Sequence, residues 1–374
     1  MTARLVLVLN AGSSSLKFEV LDPDSGAVTV EGHLERIAPG GFRGALDEVA
    51  SRLAAAGVRA GDLRAVGHRV VHGGSEFGQA TVIDDNVFAV IERLVPLAPL
   101  HNPAALTGIA VARKLLPEVP QVAVFDTAFH STIPPEGITY AIDAGLAQRW
   151  GIRRYGMHGT SHAYVSRQTA ELLGRRPEET NVITLHLGNG ASACAVEAGR
   201  SVATSMGMAP QEGLVMGTRS GDIDPTVIFH LHRVAGLPIE EIENSLTRYA
   251  GMQGLTGDND MRAVERRVAE GDPVATLAFA VYCRRIKEYV GAYQAILGRV
   301  DAITFTAGVG EHAPMVRAAA LAGLSPLGIE VDPARNEANA PIISPDGTRI
   351  AVCVIPTDEE LEIATQSRAA LRES

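Results

Sequence analysis

Two stretches of the chain, about half its length apart, share one layout of apolar and turn-forming residues. Residues 5–22, LVLVLNAGSSSLKFEVLD, form an apolar run, a turn of Asn, Gly and Ser, and a second apolar run. Residues 181–199, NVITLHLGNGASACAVEAG, repeat that order with a Gly-Asn-Gly turn. Apolar runs joined by a short polar turn predict a β-hairpin. Since each half carries one, we predict a duplicated α/β core with a cleft between the halves.

The residue composition of both turns is suited to binding phosphate. Small residues let main-chain N–H groups approach phosphate oxygens, serine hydroxyls add donors, and Lys17 adds a positive charge. The spacing is not that of a P-loop, G-x-x-x-x-G-K-[ST], so the first turn is predicted to be a hairpin tip. The alternative is an ordinary polar turn, because the same residue types dominate β-turns.

Length and composition set the class of protein. At 374 residues the chain predicts two domains, and strand and helix signals alternate along it. Strands are predicted at 64–71, 121–125, 181–187 and 301–306, and helices at 103–116, 162–173 and 274–297. A net charge of -10 argues against a nucleic-acid surface. The chain lacks a run of roughly 18–20 apolar residues and a signal-peptide cleavage site, so we expect no membrane span.

Three scattered cysteines without a C-x-x-C pair exclude a disulfide framework and a zinc ribbon, and they favour a cytoplasmic protein.

Residues 153–166, RRYGMHGTSHAYVS, place His158 and His162 four apart. On one helix face they could bind a metal, but the Glu of H-E-x-x-H is absent. Gly-Thr-Ser between them is typical of a turn and an N-cap, with a helix that begins near Ser161. This puts His158 on a loop beside Arg153 and Arg154, where it would suit a developing phosphoryl charge.

Further candidates lie where apolar runs end. Arg69 and Asp126 each close a predicted strand, and ligands gather at such ends in α/β sheets. Arg69 could clamp a carboxylate or form a structural salt bridge. Arg219 lies among glycines that leave room for a ligand, whereas Asp224 before Pro225 is typical of a helix start. Residues 355–364, IPTDEELEIA, fit either an N-cap with an acidic first turn or a hydrated Mg²⁺ site.

Residues 305–313, FTAGVGEHA, match the dinucleotide fingerprint G-x-G-x-x-A, with Glu330 about twenty residues later. Pro314 at the helix entry and the late position in the chain favour a glycine-lined wall for a purine nucleotide instead.

The motifs together resemble the acetokinase family. N-A-G-S-S-S-x-K, G-H-R-V-V-H-G-G, F-D-T-A-F-H, R-R-Y-G-x-H-G-T-S-H, H-L-G-N-G, M-G-T-R-x-G-D-I-D-P, T-A-G-x-G-E and I-P-T-x-E-E occur in that order, from Leu5 to about Ala364. The resemblance implies duplicated ribonuclease-H-like (actin-like ATPase) domains facing a central cleft. The N-terminal domain would span 1–150 and be completed by a C-terminal helix at 356–374, and the nucleotide-binding domain would span 151–355.

The resemblance also implies an activity: reversible phosphoryl transfer from ATP to acetate, giving acetyl phosphate and ADP, with Mg²⁺ or Mn²⁺ and with a homodimer as the assembly. Asp126, His158 and Arg219 would be catalytic, and Asn10 and Glu359 would lie at the metal. Acetate would contact Arg69, Val71, Leu100, Met157 and Pro210. The nucleotide would contact Lys17, His186, Leu187, Gly188, Asn189, Gly190, Asp260, Met261, Arg262, Gly308, Val309, Gly310, Glu311 and His312.

Three alternatives stay open from the sequence. Met157 stands where the family often has an aromatic residue, and a pocket discriminates one methylene by only about 1–3 kcal/mol, so propionate is an alternative acceptor. A conformational switch driven by ATP and an NAD-dependent dehydrogenase are the others. Acetate is already ionised at neutral pH, so we expect Asp126 to orient Arg69 or metal-bound water rather than to remove a proton.

Overall fold

The computed structural model describes residues 4–12, 15–38, 41–99 and 101–373. They divide into two compact units. Unit 1 draws on Met1–Ser131, Met157–Ser161 and Asp358–Ser374, and unit 2 comprises Thr132–Gly156 and His162–Thr357. Unit 1 first gives way to unit 2 after Ser131. One reason is that Thr132 already bonds the second sheet, its Oγ1 donating to the carbonyl oxygen of Ser201 across 2.8 Å.

The strands, in chain order, are β1 Leu5–Ala11, β2 Leu16–Leu21, β3 Val28–Leu34, β4 Leu63–Val70, β5 Thr81–Val82, β6 Gln121–Phe125, β7 Val182–Leu187, β8 Ala191–Glu197, β9 Arg200–Thr204, β10 Ala302–Thr306 and β11 Ala351–Val354. The helices are α1 Phe42–Ala55, α2 Asp85–Arg93, α3 Asn102–Leu115, α4 Pro135–Ile138, α5 Ala144–Trp150, α6 Gly159–Leu172, α7 Thr226–Arg233, α8 Ile239–Thr247, α9 Gly251–Thr256, α10 Met261–Ala269, α11 Pro273–Leu297, α12 Ala307–His312, α13 Pro314–Leu321, α14 Pro333–Glu337 and α15 Glu359–Glu373. Short 3₁₀ segments lie at Ala60–Asp62, Val95–Leu97, Ala128–Thr132, Pro177–Glu179 and Ser325–Leu327.

The two sheets repeat one topology. The sheet of unit 1 has the order β3-β2-β1-β4-β6-β5, and that of unit 2 has the order β11-β10-β7-β8-β9. In each sheet an antiparallel meander of three strands is followed, beside its first strand, by two parallel strands. Both hairpins expected from the sequence are present: β1 pairs with β2 and β7 pairs with β8. The internal duplication is therefore visible in strand order.

Helices cover both faces of the sheet in unit 1. On one face Leu46, Val49 and Leu53 of α1 pack with β1 and β2. On the other face Ile363 and Ala364 of α15 join a cluster with Val6, Val8, Ala65, Val122 and Val124. Gly67 in β4 permits this close approach, because a Cβ there would lie 2.5 Å from Ser367 Oγ. The last helix of the chain thus completes the core around its first strand.

In unit 2 every residue of β7 and β10 is buried, as expected for strands covered on both faces. The long helix α11 begins at Pro273, and Oδ1 of the preceding Asp272 accepts the amide of Val274 across 2.8 Å. An N-cap aspartate followed by proline favours helix initiation. Along the described residues, no helix combines the length and apolarity needed to cross a bilayer.

The predicted strands agree with β4, β6, β7 and β10 to within one residue at either end. Helix α6 begins at Gly159, two residues before the expected start near Ser161, and His158 precedes it as predicted.

Candidate active site

Arg69 and Asp126 form the centre of the site in unit 1. Arg69 lies one residue before the end of β4, Asp126 directly follows β6, and the two parallel strands pair Val70 with Phe125. Their carboxyl ends therefore bring the two side chains to one edge of the sheet. Arg69 donates from Nε to Asp126 Oδ1 across 2.9 Å and from Nη2 to Oδ2 across 2.7 Å. Asp126 is only 1% exposed, so this is a buried bidentate ion pair.

Asn10 and Glu359 complete the surroundings of Arg69. Nη1 of Arg69 lies 3.4 Å from Asn10 Oδ1, and Nε lies 3.8 Å from Glu359 Oε2. Burial opposes the charge of Arg69, but Asp126 and then Glu359 outweigh that effect and raise its pKa above the ordinary value. The pKa of Glu359 is also raised, chiefly by burial, against the lowering influence of Arg69.

Lys17 is held by two glutamates. Its Nζ lies 2.9 Å from Glu360 Oε1 and 3.1 Å from Glu19 Oε1, although the lysine side chain is 44% exposed. Burial and the neighbouring Glu360 raise the pKa of Glu19. Lys17 faces Asn10 across the hairpin, as their register pairing requires.

The donors around Arg69 fit a hard divalent cation. Asn10 and Glu359 offer an amide and a carboxylate oxygen, the ligand atoms that Mg²⁺ prefers, while both oxygens of Asp126 accept from Arg69. The negative charges of Asp126, Glu359 and Glu360 all raise the pKa of Arg69. This excess of negative charge and the raised pKa of Glu359 indicate that an added cation would be favoured here.

The chain at Met157 and His158 is fixed from two sides. The carbonyl oxygen of Met157 lies 3.0 Å from His130 Nε2, and the amide of Gly159 donates to the carbonyl oxygen of Asp126 across 2.9 Å. Between these contacts His158 has a φ of 57°, a left-handed conformation that is uncommon outside glycine. Met157 is buried, and His158 is half-buried. Such strain persists only where surrounding contacts hold it, and it is frequent at active sites.

His162 does not share a metal with His158. Its Nδ1 lies 2.7 Å from Thr184 Oγ1 and its Nε2 lies 2.7 Å from Ser192 Oγ, so both ring nitrogens are committed to hydroxyl groups. His162 is fully buried and connects α6 with β7 and β8.

In unit 2 the turn after β7 is joined to the loop that carries Arg219. Gly217 donates its amide to the carbonyl oxygen of Asn189 across 2.9 Å, and Asn259 Nδ2 lies 3.1 Å from Asn189 Oδ1. A Cβ on Gly217 would lie 2.0 Å from Asn189 Oδ1, so a larger residue here would displace the Asn189 side chain. Three segments distant in sequence thus meet at the turn.

Arg219 and Pro210 are brought together. Nη1 of Arg219 donates to the carbonyl oxygen of Pro210. Among the described residues no carboxylate pairs with Arg219, and burial lowers its pKa. A half-buried cation with no counter-ion is suited to an anion that arrives with the substrate.

Arg154 has a different role from the one expected beside His158. Its Nη1 donates to the carbonyl oxygens of Thr204, Ser205 and Met206, each across 3.1 Å, and its Nη2 pairs with Glu212. Arg154 therefore holds a loop of unit 2. Arg153 lies over the ring of Tyr155, 5.3 Å from its centroid.

The other predicted nucleotide residues vary in exposure. His186 and Leu187 are buried strand residues, Met261 is in the core, and Asp260 caps α10 while pairing with the exposed Arg262. Gly308 has open space where a Cβ would be, and Glu311 Oε1 accepts the amide of Thr357 across 3.3 Å. Val309 is half-buried, Gly310 is buried and His312 is exposed. Val71 is half-buried just after β4, and Leu100 lies outside the described residues.

The glycine motif at Gly308 does not stand in a dinucleotide-binding fold. It follows β10, an interior strand of a mixed sheet in which β7, β8 and β9 are antiparallel. Strand β10 does lead through helices to the parallel β11, but a dinucleotide-binding fold continues as a parallel sheet, whereas here β7 leads into the antiparallel β8 and β9.

Sequence reasoning missed the residues that support the site. His130 closes the motif F-D-T-A-F-H, but only the structure reveals that it holds the carbonyl of Met157. Glu19 and Glu360 were missed as partners of Lys17, and Glu212 as the partner of Arg154.

Comparison with known proteins decides the family. The model of the acetokinase family matches residues 38–365. The chain belongs to the acetokinase family. It is 55% identical to an acetate kinase of Streptomyces avermitilis, over 99% of this chain and 98% of that one. The resemblance seen in the motifs is thereby confirmed.

Two solved structures agree with the fold. The acetate kinase of Porphyromonas gingivalis is 40% identical, with a TM-score of 0.93 over 99% of this chain and 100% of that chain. A propionate kinase of Francisella tularensis is 39% identical, with a TM-score of 0.93 over 98% and 99%. The predicted α/β class with duplicated actin-like ATPase domains is confirmed for this acetokinase family member.

Proposed function

We propose that this protein is an ATP:acetate phosphotransferase that forms acetyl phosphate and ADP reversibly, by direct in-line attack of the acetate carboxylate on the γ-phosphorus. The observation that carries the proposal is the buried bidentate pair of Arg69 and Asp126 at the carboxyl ends of β4 and β6. The acetate kinases among its relatives support the same activity.

Arg69 is the proposed acetate clamp. A guanidinium carries five N–H donors. Asp126 takes Nε and one N–H of Nη2, and Asn10 takes one N–H of Nη1. One N–H on each terminal nitrogen is left without an acceptor among the described residues, and together they match the two oxygens of a carboxylate.

Asp126 is proposed to orient Arg69 and to accept no proton. Acetate has a pKa near that of side-chain carboxyls, about 4, so it arrives ionised and needs no general base. Both oxygens of Asp126 already accept hydrogen bonds from Arg69. Phosphoryl transfer then requires alignment and charge neutralisation.

Arg219 and His158 are proposed to donate to the equatorial oxygens of the transferring phosphoryl group. Arg219 is suited to this because it has no carboxylate partner in the described chain, and His158 because its strained backbone is fixed on both sides. We propose that Lys17, His186–Gly190, Asp260–Arg262 and Gly308–His312 contact the nucleotide.

Mg²⁺, or Mn²⁺ in its place, would be held at Asn10 and Glu359. When bound it supplies positive charge that neutralises the β- and γ-phosphate oxygens. Glu359 must be ionised to serve, and Arg69 at 3.8 Å helps to keep it so.

The test is the formation of acetyl phosphate from ATP and acetate, trapped as the hydroxamate and checked by ADP release. Arg69→Ala is expected to raise the KM for acetate far more than that for MgATP. Arg113→Ala is a matched control, since Arg113 pairs with the 94% exposed Asp85 away from the site. ATP binding without any acyl phosphate would contradict the proposal and favour an ATP-driven conformational switch.

Propionate is the second candidate acceptor. The related Francisella tularensis protein is a propionate kinase, and the buried Met157 has a flexible side chain that adapts to a longer acyl group. The ratio of kcat/KM for acetate to that for propionate decides between the two acceptors, with a ratio below one favouring propionate.

We further propose a cytoplasmic homodimer. All three cysteines are free and buried, which suits a reducing compartment. Phe229, Val234 and Ile239 on and between α7 and α8 are 52%, 71% and 53% exposed, an apolar surface that fits a subunit contact. Sedimentation velocity of the wild type and of Val234→Asp tests the assembly.

A further inference from the structure

The loop that carries Pro210 is anchored at both ends by one hydrogen-bond network. At its start, the carbonyl oxygen of Gly207 accepts hydrogen bonds from the amides of Tyr155 and Gly156, across 3.0 and 3.1 Å. At its end, Glu212 Oε1 accepts from Arg154 Nη2 across 2.5 Å. Tyr140 connects the two ends, because its hydroxyl donates to Glu212 Oε2 and accepts the amide of Met208 across 3.2 Å.

Packing makes this arrangement specific. A Cβ on Gly207 would lie 2.0 Å from Glu212 Oε2 and 2.2 Å from the Tyr140 hydroxyl. The carboxylate therefore lies directly against the backbone at Gly207. The guanidinium of Arg154 also lies over the ring of Tyr140, 5.6 Å from its centroid.

Tyr140 and Arg154 both remain protonated in this network. Burial, and then Glu212, raise the pKa of Tyr140, so its hydroxyl remains a donor. Burial opposes the charge of Arg154, but Glu212 outweighs this and raises its pKa.

The anchored loop leads to Arg219. Pro210 lies between the two anchor points, and its carbonyl oxygen accepts from Arg219 Nη1. The next residue, Gln211, donates from Nε2 to Ser220 Oγ and to the carbonyl oxygen of Leu246, each across 2.9 Å. The position of the Arg219 guanidinium thus depends on where this loop is held.

We propose that Tyr140, Arg154 and Glu212 are positioning residues. They fix the position of the Arg219 guanidinium through its hydrogen bond to the carbonyl oxygen of Pro210. This inference rests on the proposed function, in which Arg219 donates to the transferring phosphoryl group. None of the three touches the substrate in this scheme. Their contribution is to keep the Pro210 carbonyl where it aligns the arginine.

The experiment is a double-mutant cycle between Tyr140→Phe and Arg219→Lys in acetyl phosphate formation, with kcat and the KM values for MgATP and acetate. Tyr140→Phe keeps the ring and removes a hydrogen bond to a charged group, so kcat should fall roughly tenfold with the KM for MgATP unchanged. In the Arg219→Lys background the same change should lower kcat less than about twofold, since coupled residues are non-additive. Glu212→Gln should follow the same pattern.

Tyr249→Phe is the control, because Tyr249 is 69% exposed, and equal melting temperatures exclude unfolding as the cause. Equal losses of kcat from Tyr140→Phe in both backgrounds would overturn this inference alone. If Arg219→Lys leaves the wild-type kcat unchanged, both the role of Arg219 and this inference are overturned.

Discussion

The main-chain amide of Gly159 lies 2.9 Å from the main-chain carbonyl oxygen of Asp126, and this contact leaves no space for a side chain on the glycine. A Cβ on Gly159 would lie 2.2 Å from that oxygen and 3.0 Å from the Cβ of Phe129. His158 directly precedes Gly159 with its left-handed backbone. One backbone contact therefore ties the proposed phosphoryl donor His158 to the aspartate that holds Arg69.

We expect Gly159→Ala to lower kcat by about 10²-fold, because small misplacements of catalytic groups have effects of that size. The added methyl must push the Asp126 backbone and His158 apart. Steady-state kinetics and thermal melting measure the two effects. Gly44→Ala in α1 is the control, since a Cβ there meets no atom within 4 Å. A Gly159→Ala enzyme with wild-type kcat would contradict the proposed link.

Asp126→Asn should lower kcat/KM for acetate by roughly 10–10²-fold, because a hydrogen bond to a charged group is worth about 1.5–3 kcal/mol. The amide keeps the shape of the side chain but loses the charge that holds Arg69. Asp126→Asn should leave the shape of the kcat profile between about pH 6 and 8 unchanged, since acetate arrives ionised and Asp126 removes no proton. Asp85→Asn is the exposed control. Full activity of Asp126→Asn at saturating Mg²⁺ would refute the orienting role.

Glu359→Gln should stabilise the ligand-free protein at neutral pH while it weakens Mg²⁺-dependent activity. The pKa of Glu359 is raised in the folded state, so ionisation costs more there than in the unfolded chain. This cost is full above the folded pKa, shrinks as the pH falls, and vanishes below the ordinary value of 4.5.

Urea unfolding of Glu359→Gln and wild type at pH 7 and at pH 4 measures this difference. The variant should be the more stable at pH 7 and equal at pH 4. Glu48→Gln is the control, because Glu48 is half exposed on α1. A variant that is less stable than wild type at pH 7 would show that the pairing with Arg69 dominates.

His68 should make the protein sensitive to acid. Its Nε2 lies 2.8 Å from Gln121 Oε1, and burial lowers its pKa from 6.5 to about 4 despite that bond. Stability from the neutral ring is complete above pH 6.5 and is lost as the pH falls towards 4, a difference of about 3 kcal/mol. The slope of unfolding free energy against pH should therefore be shallower for His68→Gln. His33→Gln, on an exposed side chain, should leave the slope unchanged.

The sequence predicts local structure well because strands such as β7 and β10 are short, mainly apolar runs that the fold buries on both faces. The pairings of β1 with β2 and of β7 with β8 follow from the Asn, Gly and Ser residues between apolar runs. Contacts between residues far apart in the chain could not be predicted from such local patterns. Tyr140 and Glu212 are far apart in the chain, and no spacing rule links them. The left-handed backbone of His158 likewise comes from tertiary contacts, since local preference disfavours it.

The packing of α15 on the sheet of unit 1 has a consequence for biosynthesis. Val6, Val8, Ala65 and Val124 leave the ribosome before most of unit 2, whereas Ile363 and Ala364, which cover them, follow unit 2 in the chain. Most of unit 2 is one continuous segment that ends before α15. Domains usually fold in the order of synthesis. Here one face of the sheet in unit 1 stays uncovered until α15, which follows unit 2 in the chain, has been synthesised.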